Sequence, residues 1–268
     1  MSDASAVLPG IVPDWPGLPA NVGALSSVRA GGVSLAPYGD GQGGGGLNLG
    51  LHVGDAAGDV AANRERLAAI LPGTPAWLSQ VHGVTVVDAG QAFDGVPEAD
   101  ASVASTPGAV CVVMTADCLP VLFSSQDGQV VGAAHAGWRG LAAGVLQRTV
   151  EAMRARGAGD GAGEILAWLG PAIGPQQFEV GQEVLQAYLD GAQGNGERLA
   201  VRQAFVAVHD TPGKYLADIY ALARIMLLRA GVTEISGGQH CTVSESAQFY
   251  SYRRDGVTGR QASLIWRK

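Results

Sequence analysis

A chain of 268 residues with 47% hydrophobic and 15% charged residues can bury a substantial core and is too apolar for a disordered protein. A net charge of −7, with no basic cluster beyond Arg253-Arg254, argues against nucleic acid as a partner, although one or two arginines suffice to hold a small anion. Cys111, Cys118 and Cys241 are too few and too scattered for a disulfide framework. No leader pattern is evident, and no apolar run approaches the roughly 18 residues of a membrane span. The expectation is a cytoplasmic protein with reduced thiols and no membrane partner.

Residues 1–24 are rich in Pro and Gly and read as an irregular lead-in, with residues 25–268 as one domain. A short strand is expected in 25–33. The glycine-rich stretch 39–46 matches G-x-G-x-x-G, but no apolar strand leads into it and no helix follows directly, so it reads as a loop rather than a dinucleotide site. Asp59 is placed to cap a helix over 60–71. Strands are expected at 76–81 and 84–87, interrupted by His82-Gly83.

Two apolar runs follow, 110–123 and 129–136, joined by Asp127-Gly128, a turn pair suited to positive φ and hence a strong hairpin signal. Leu141, Val145, Leu146, Val150 and Met153 form the stripe of an amphipathic helix over 141–156, ended by Gly157. Beyond it come a loop at 157–163, a strand at 164–169, a rigid bend at 170–175 and a helix at 180–189. A loose connection at 191–197, a long helix at 215–230 and short strands at 234–236 and 263–266 complete the pattern. The elements describe a single α+β domain of mixed sheets covered by helices.

If Asp127 and Gly128 are the turn residues, Cys118 lies opposite Gly137. His135 is then its diagonal neighbour on the same face, about 7–8 Å away. His82, Cys118 and His135 each stand at a strand end or turn beside Gly or Pro, where side chains reach a cleft more readily than a core. One thiolate with two imidazoles is a ligand set for catalytic zinc, although the spacing matches no compact zinc motif. Arg64 is either a solvated helix charge or an anion-binding group, and Arg139 and Arg253 are weaker candidates for the same task. Asn48 and His52 either line the pocket or order their own loop. Gln80 would share a strand face with His82 and support it. His240-Cys241 reads as a buried structural pair rather than a second metal site, and His209 and Cys111 as structural.

Several segments in fixed order resemble one family: N-L-G-L-H-V-G-D at 48–55, Asn63-Arg64, Q-V-H-G at 80–83, T-A-D-C-L-P at 115–120, A-H-A-G-W-R-G at 134–140, G-P-A-I-G-P at 170–175 and F-Y-S-Y-R-R-D-G-V-T-G-R at 249–260. The chain is similar to the YfiH-like, laccase-domain family of purine nucleoside phosphorylases, once named polyphenol oxidases. The resemblance implies a YfiH-like fold, and a zinc site of His82, Cys118 and His135 that also serves catalysis. It implies phosphorolysis of adenosine, inosine and methylthioadenosine, and deamination of adenosine. Arg64, Asn48, His52 and Gln80 are the expected substrate-binding residues, with purine nucleosides and phosphate as ligands in a monomer or small homo-oligomer.

Two rival chemistries fit the same residues. Copper outranks zinc in intrinsic affinity for such ligands, so a copper-dependent polyphenol oxidase is one alternative, although the chain has no H-x-H pair. The other is a metal-free hydrolase with Cys118 as nucleophile and His135 as its base.

Overall fold

The computed structural model describes residues 8–159, 161 and 164–268; residues 1–7 of the expected lead-in, and 160, 162 and 163 of the 157–163 loop, lie outside it. In chain order the first elements are β1 (Gly10–Ile11), β2 (Val22–Ser27), β3 (Ala30–Ser34), α1 (Ala57–Ala68), β4 (Pro75–Ala76), β5 (Val86–Asp88) and β6 (Ala101–Ala104). The middle of the chain forms β7 (Val110–Thr115), β8 (Leu119–Ser125), β9 (Val131–Ala136), α2 (Trp138–Ala143), α3 (Val145–Arg154) and β10 (Ile165–Leu169). Then come β11 (Glu179–Gly181), α4 (Gln182–Gly191), α5 (Gly194–Gln203), β12 (Phe205–Ala207), β13 (Lys214–Ala217), α6 (Ile219–Arg229), β14 (Glu234–Gly237), α7 (Tyr252–Asp255) and β15 (Gln261–Arg267).

Two sheets form the centre, a five-stranded one in the order β1-β2-β15-β7-β4 and a six-stranded one in the order β14-β10-β8-β9-β6-β5. Cys111, Val113 and Ile265 of the first sheet meet Leu122, Val131, Ala133 and Trp168 of the second in one buried cluster. On the outer face of the first sheet, Val110, Val112, Met114 and Leu264 pack with Leu67 of α1. On the outer face of the second, Val121, Phe123 and Ala134 pack with Leu146, Val150 and Met153 of α3 and with Leu222 and Leu227 of α6. A strand covered on both faces needs no polar alternation, which is why Val110–Thr115 and Leu119–Ser125 read as continuous apolar runs. The expected α+β single domain is the fold observed. No described helix is long and apolar enough to cross a membrane.

The hairpin register is the expected one, with Leu119 opposite Ala136 and Val121 opposite Ala134. The preceding run is not one strand, however. It breaks at Ala116-Asp117-Cys118, where the chain leaves the first sheet as β7 and enters the second as β8. Other departures are local. The helix expected at 60–71 starts at Ala57 with Ala56 as its cap, so Asp59 sits in the first turn, where its charge favours the helix dipole. The helix expected at 141–156 is divided at Gly144, whose φ is 99°. Its apolar stripe is fully buried as expected. The stretch 215–230 is a strand followed by a helix, with Asp218 accepting a capping bond from the Ala221 N–H. Within the lead-in, Gly10–Ile11 pairs with Ser26 and Ser27, and Trp15 is buried between the sheets.

Candidate metal and substrate site

The corner between β7 and β8 is made by Asp117 with φ of 95°, a conformation L-residues rarely adopt. Its carboxylate holds the corner in place, accepting from Thr242 Oγ1 at 2.6 Å and from the Arg253 backbone N–H at 2.7 Å. Cys118 follows at once, and His135 is the last residue but one of β9, so the hairpin brings the thiol and imidazole together. Of the expected strand end or turn, the structure shows the turn: His82 sits in a bend between strands, with φ of 62°. The ligand atoms of His82, Cys118 and His135 all lie within 4.8 Å of one another, and they form the only such group of three among the described residues. Cys118 Sγ is 3.5 Å from His82 Nε2, and the two imidazole rings meet edge to face at 4.7 Å.

Asp100 fixes both histidines. One oxygen accepts from His135 Nδ1 at 2.8 Å and from the His82 backbone N–H at 2.9 Å. The other accepts from the N–H groups of Val81 (3.2 Å) and Gly83 (2.6 Å). A fully buried carboxylate without such donors would cost several kcal/mol. Burial pushes its pKa up, but the His135 bond and the backbone donors outweigh this and hold it below the ordinary carboxylate range.

Burial likewise works against the Cys118 thiolate, yet hydrogen bonding and charge from His135, then from His82, bring the thiol down to about 6. Burial disfavours the His135 imidazolium too, but Asp100 and Cys118 push it up to about 9. Both shifts run in the direction that favours a thiolate beside an imidazolium when no metal is bound. Gly137 completes the arrangement, since a Cβ there would overlap the His82 ring and stand 3.1 Å from Cys118 Sγ.

The three ligands open on a cavity of about 550 Å³ also lined by His52, Gln80, Met114, Thr115, Tyr252 and Arg260. That size suits a small-molecule ligand. Of the expected substrate-binding residues, His52 and Gln80 line it. Gln80 is not on a strand; its amide exchanges two 2.8 Å hydrogen bonds with the Met114 backbone. Asn48 is fully buried and orders the structure behind the wall, accepting from the N–H groups of Gly50 and Arg260. Arg64 stands outside the cavity lining, its guanidinium 3.9 Å from the Trp77 ring centroid and its Nε donating to the Leu49 carbonyl. Arg139 stacks on Trp138, and Arg253 donates to the carbonyls of Gln177 and Glu179.

Asp100, Thr115 and Arg260 are site residues that sequence reasoning passed over. Asp100 had a signal of its own, an acidic residue opening a run of small apolar residues that must enter a sheet. His240 and Cys241 are half-buried at a separate cavity, where His240 pairs with Glu245 at 2.8 Å. Cys111 is fully buried between the sheets, its thiol pushed up to about 12 by burial, and His209 is exposed.

A purine nucleoside phosphorylase of Pseudomonas aeruginosa is 51% identical over 256 residues, covering 96% of this chain and 97% of its own. The Escherichia coli purine nucleoside phosphorylase YfiH is 51% identical over 258 residues, covering 96% and 98%. Among solved structures, a Neisseria meningitidis protein superposes with a TM-score of 0.85 at 49% identity, over 97% of this chain and 99% of its own. YlmD of Geobacillus stearothermophilus superposes with a TM-score of 0.82 at 32% identity, over 97% and 100%. The family model described as multi-copper polyphenol oxidoreductase laccase matches residues 23–268. The match spans residues 23–268, nearly the whole described chain, and the chain belongs to this YfiH-like laccase-domain family.

Proposed function

We propose that the protein is a zinc-dependent purine nucleoside phosphorylase. It converts adenosine, inosine and methylthioadenosine to the free base and (methylthio)ribose 1-phosphate, and it also deaminates adenosine. The observation that carries this reading is the meeting of His82, Cys118 and His135 on a cavity of nucleoside size that also contains a basic side chain, Arg260. The names of relatives half-identical over nearly their full length support the substrate class.

The donor set fits zinc. A thiolate and two imidazoles are the donor types of catalytic zinc sites, and here the three ligand atoms lie within 4.8 Å of one another. His135 gives its Nδ1 hydrogen to Asp100, which leaves Nε2 as the ligand atom. His82, Cys118 and His135 would hold the zinc, which would supply Lewis-acid stabilisation of developing negative charge. The protein's own part is to keep Cys118 as a thiolate, to hold both imidazoles at fixed angles through Asp100, and to shelter the substrate in the cavity.

The test is direct. Purified protein is incubated with inosine and phosphate, and hypoxanthine and ribose 1-phosphate are followed by chromatography. Stoichiometric formation of both supports the reading; no base release in a folded, zinc-loaded sample overturns it. Adenosine without phosphate, assayed for inosine and ammonia, tests the deaminase half separately.

Cys118, His135 and Asp100 also have the order of a nucleophile, base and orienting acid, which favours a metal-free hydrolase as the second reading. Replacing His82 separates the two. A zinc enzyme loses metal and activity together, and a thiol hydrolase keeps its activity.

A further inference from the structure

We infer that Arg260, Thr115 and His52 form a built oxyanion seat on the cavity wall, and that it takes inorganic phosphate as the co-substrate. The choice of phosphate rests on the phosphorylase reading above. The seat itself rests on three independent features of the wall.

The first is an arginine with unused donors. Arg260 Nη1 donates to the carbonyls of Thr258 (3.1 Å) and Gly259 (3.0 Å), while Nε and Nη2 have no protein acceptor among the described residues. It forms no ion pair with any described carboxylate. After burial, the negative groups that act on it are Cys118, a metal ligand in the reading above, and then Asp117, whose oxygens are engaged by Thr242 and Arg253. A guanidinium fork held at a cavity and left open on one edge suits bidentate binding of a tetrahedral oxyanion.

The second feature is an orphan hydroxyl. Thr115 is 2% exposed and lines the same cavity, yet its Oγ1 has no hydrogen-bond partner. A buried hydroxyl without a partner costs free energy, and a turn about χ1 would bring the enclosed Oγ1 to the cavity, where an anion oxygen would satisfy it.

The third is that positive charge is gathered here. His52 lines the cavity, and after burial the main influences lowering its pKa are Arg260 and Arg64. Arg64, fixed on Trp77 behind the wall, adds charge without reaching the ligand.

Arg260 is also held in advance. Its backbone N–H donates to Asn48 Oδ1 at 2.9 Å, and Asn48 is fully buried and tied to Asp55 at 2.8 Å. In the reaction, a phosphate oxygen forms the bond to C1′ as the C1′–N9 bond breaks. The bonding pair leaves with the purine, and the proton of the monohydrogen phosphate ends on the purine. Substrates and products thus balance without any further reactant.

The experiment measures binding of radiolabelled inorganic phosphate to the zinc-loaded protein by equilibrium dialysis, together with KM for phosphate and for inosine. Arg260→Gln is expected to raise the phosphate Kd and KM about tenfold or more, with inosine KM within about twofold. Arg260→Lys, which keeps the charge and loses the fork, falls between the two. Thr115→Val removes a hydroxyl that bonds nothing in the empty protein, so it keeps the fold while weakening phosphate about fivefold. Arg148→Gln, at an exposed pair with Glu151, is the control for loss of one positive charge.

Phosphate constants unchanged in both Arg260→Lys and Thr115→Val overturn the seat, even if Arg260→Gln fails to fold. Phosphorolysis that continues with those constants unchanged leaves the phosphorylase reading standing without the seat. Phosphate bound through Arg260 with no cleavage of inosine keeps the seat and removes that reading. Adenosine 5′-monophosphate is the second probe: binding of the nucleotide, but not of phosphate, through Arg260 overturns the assignment to inorganic phosphate.

Discussion

Asp100 accepts from His135 Nδ1 at 2.8 Å with the same oxygen that accepts the His82 backbone N–H. One buried carboxylate thereby sets the tautomer of one imidazole and the backbone from which the other projects. The loop carrying His82 holds a positive φ, and these bonds offset its cost.

Asp100→Asn tests that coupling. Asparagine has one acceptor oxygen for four donors, and its NH₂ group would face N–H groups. The expected result is a loss of zinc affinity of about 10–100-fold, measured by competition with a chromophoric chelator. An affinity equal to that of the unaltered protein would confine Asp100 to a purely structural role.

Gly137→Ala probes the space kept for the His82 ring. Gly137 has φ of −62°, so alanine meets no backbone strain and the effect is steric alone. Overpacking of this kind costs about 1–3 kcal/mol in a closed core, but the His82 ring is exposed and can swing outward. Metal content should therefore fall more sharply than thermal stability. Retention of full zinc occupancy would show that the ring has another place to sit.

Metal removal is expected to lower both activity and Tm. A ligand at 100 times its Kd stabilises the folded state by about 2.7 kcal/mol, and that contribution disappears in chelator. Elemental analysis of protein purified without added metal should give about one zinc per chain. Stoichiometric copper without zinc would instead favour the oxidase implied by the family's description.

In metal-free protein, Cys118 should be the reactive thiol. With the thiol at about 6, most of it is thiolate at pH 7, and the fraction falls as pH drops through that value. Alkylation by iodoacetamide, located by peptide mass spectrometry, should inflect near pH 6 at Cys118 and leave Cys111, pushed up to about 12, unmodified. Bound zinc should protect Cys118. An inflection near the ordinary thiol value would remove the thiolate–imidazolium pair from the account.

Much of the site was legible because its parts are local. The Asp127-Gly128 signal led to the observed register, although only Gly128 takes positive φ, and that register with the corner at Asp117 brings Cys118 and His135 together. The helix stripe from Leu141 to Met153 was equally plain, since every member is fully buried. What was not legible depends on both faces of a strand being covered. Val110–Thr115 and Leu119–Ser125 are equally apolar, so nothing in periodicity marks the corner at Asp117 where the chain changes sheets. The same ambiguity let 215–230 read as one helix, although Asp218 is an ordinary cap signal inside it. Asp100 and Arg260 act through partners more than 15 residues away in the chain, which spacing within a motif does not reveal.

Strand β15 has a consequence for how the protein is made. It lies between β2 and β7, not at a margin, and the segment leading into it supplies Tyr252 and Arg260 to the cavity and the Arg253 bond to Asp117. While the chain is being synthesised, β2 and β7 must wait with open edges, a state prone to misassembly, until residues 261–267 emerge to join them. Framework and cavity wall are therefore completed by one segment, residues 252–267, so a change that loosens β15 disturbs both together.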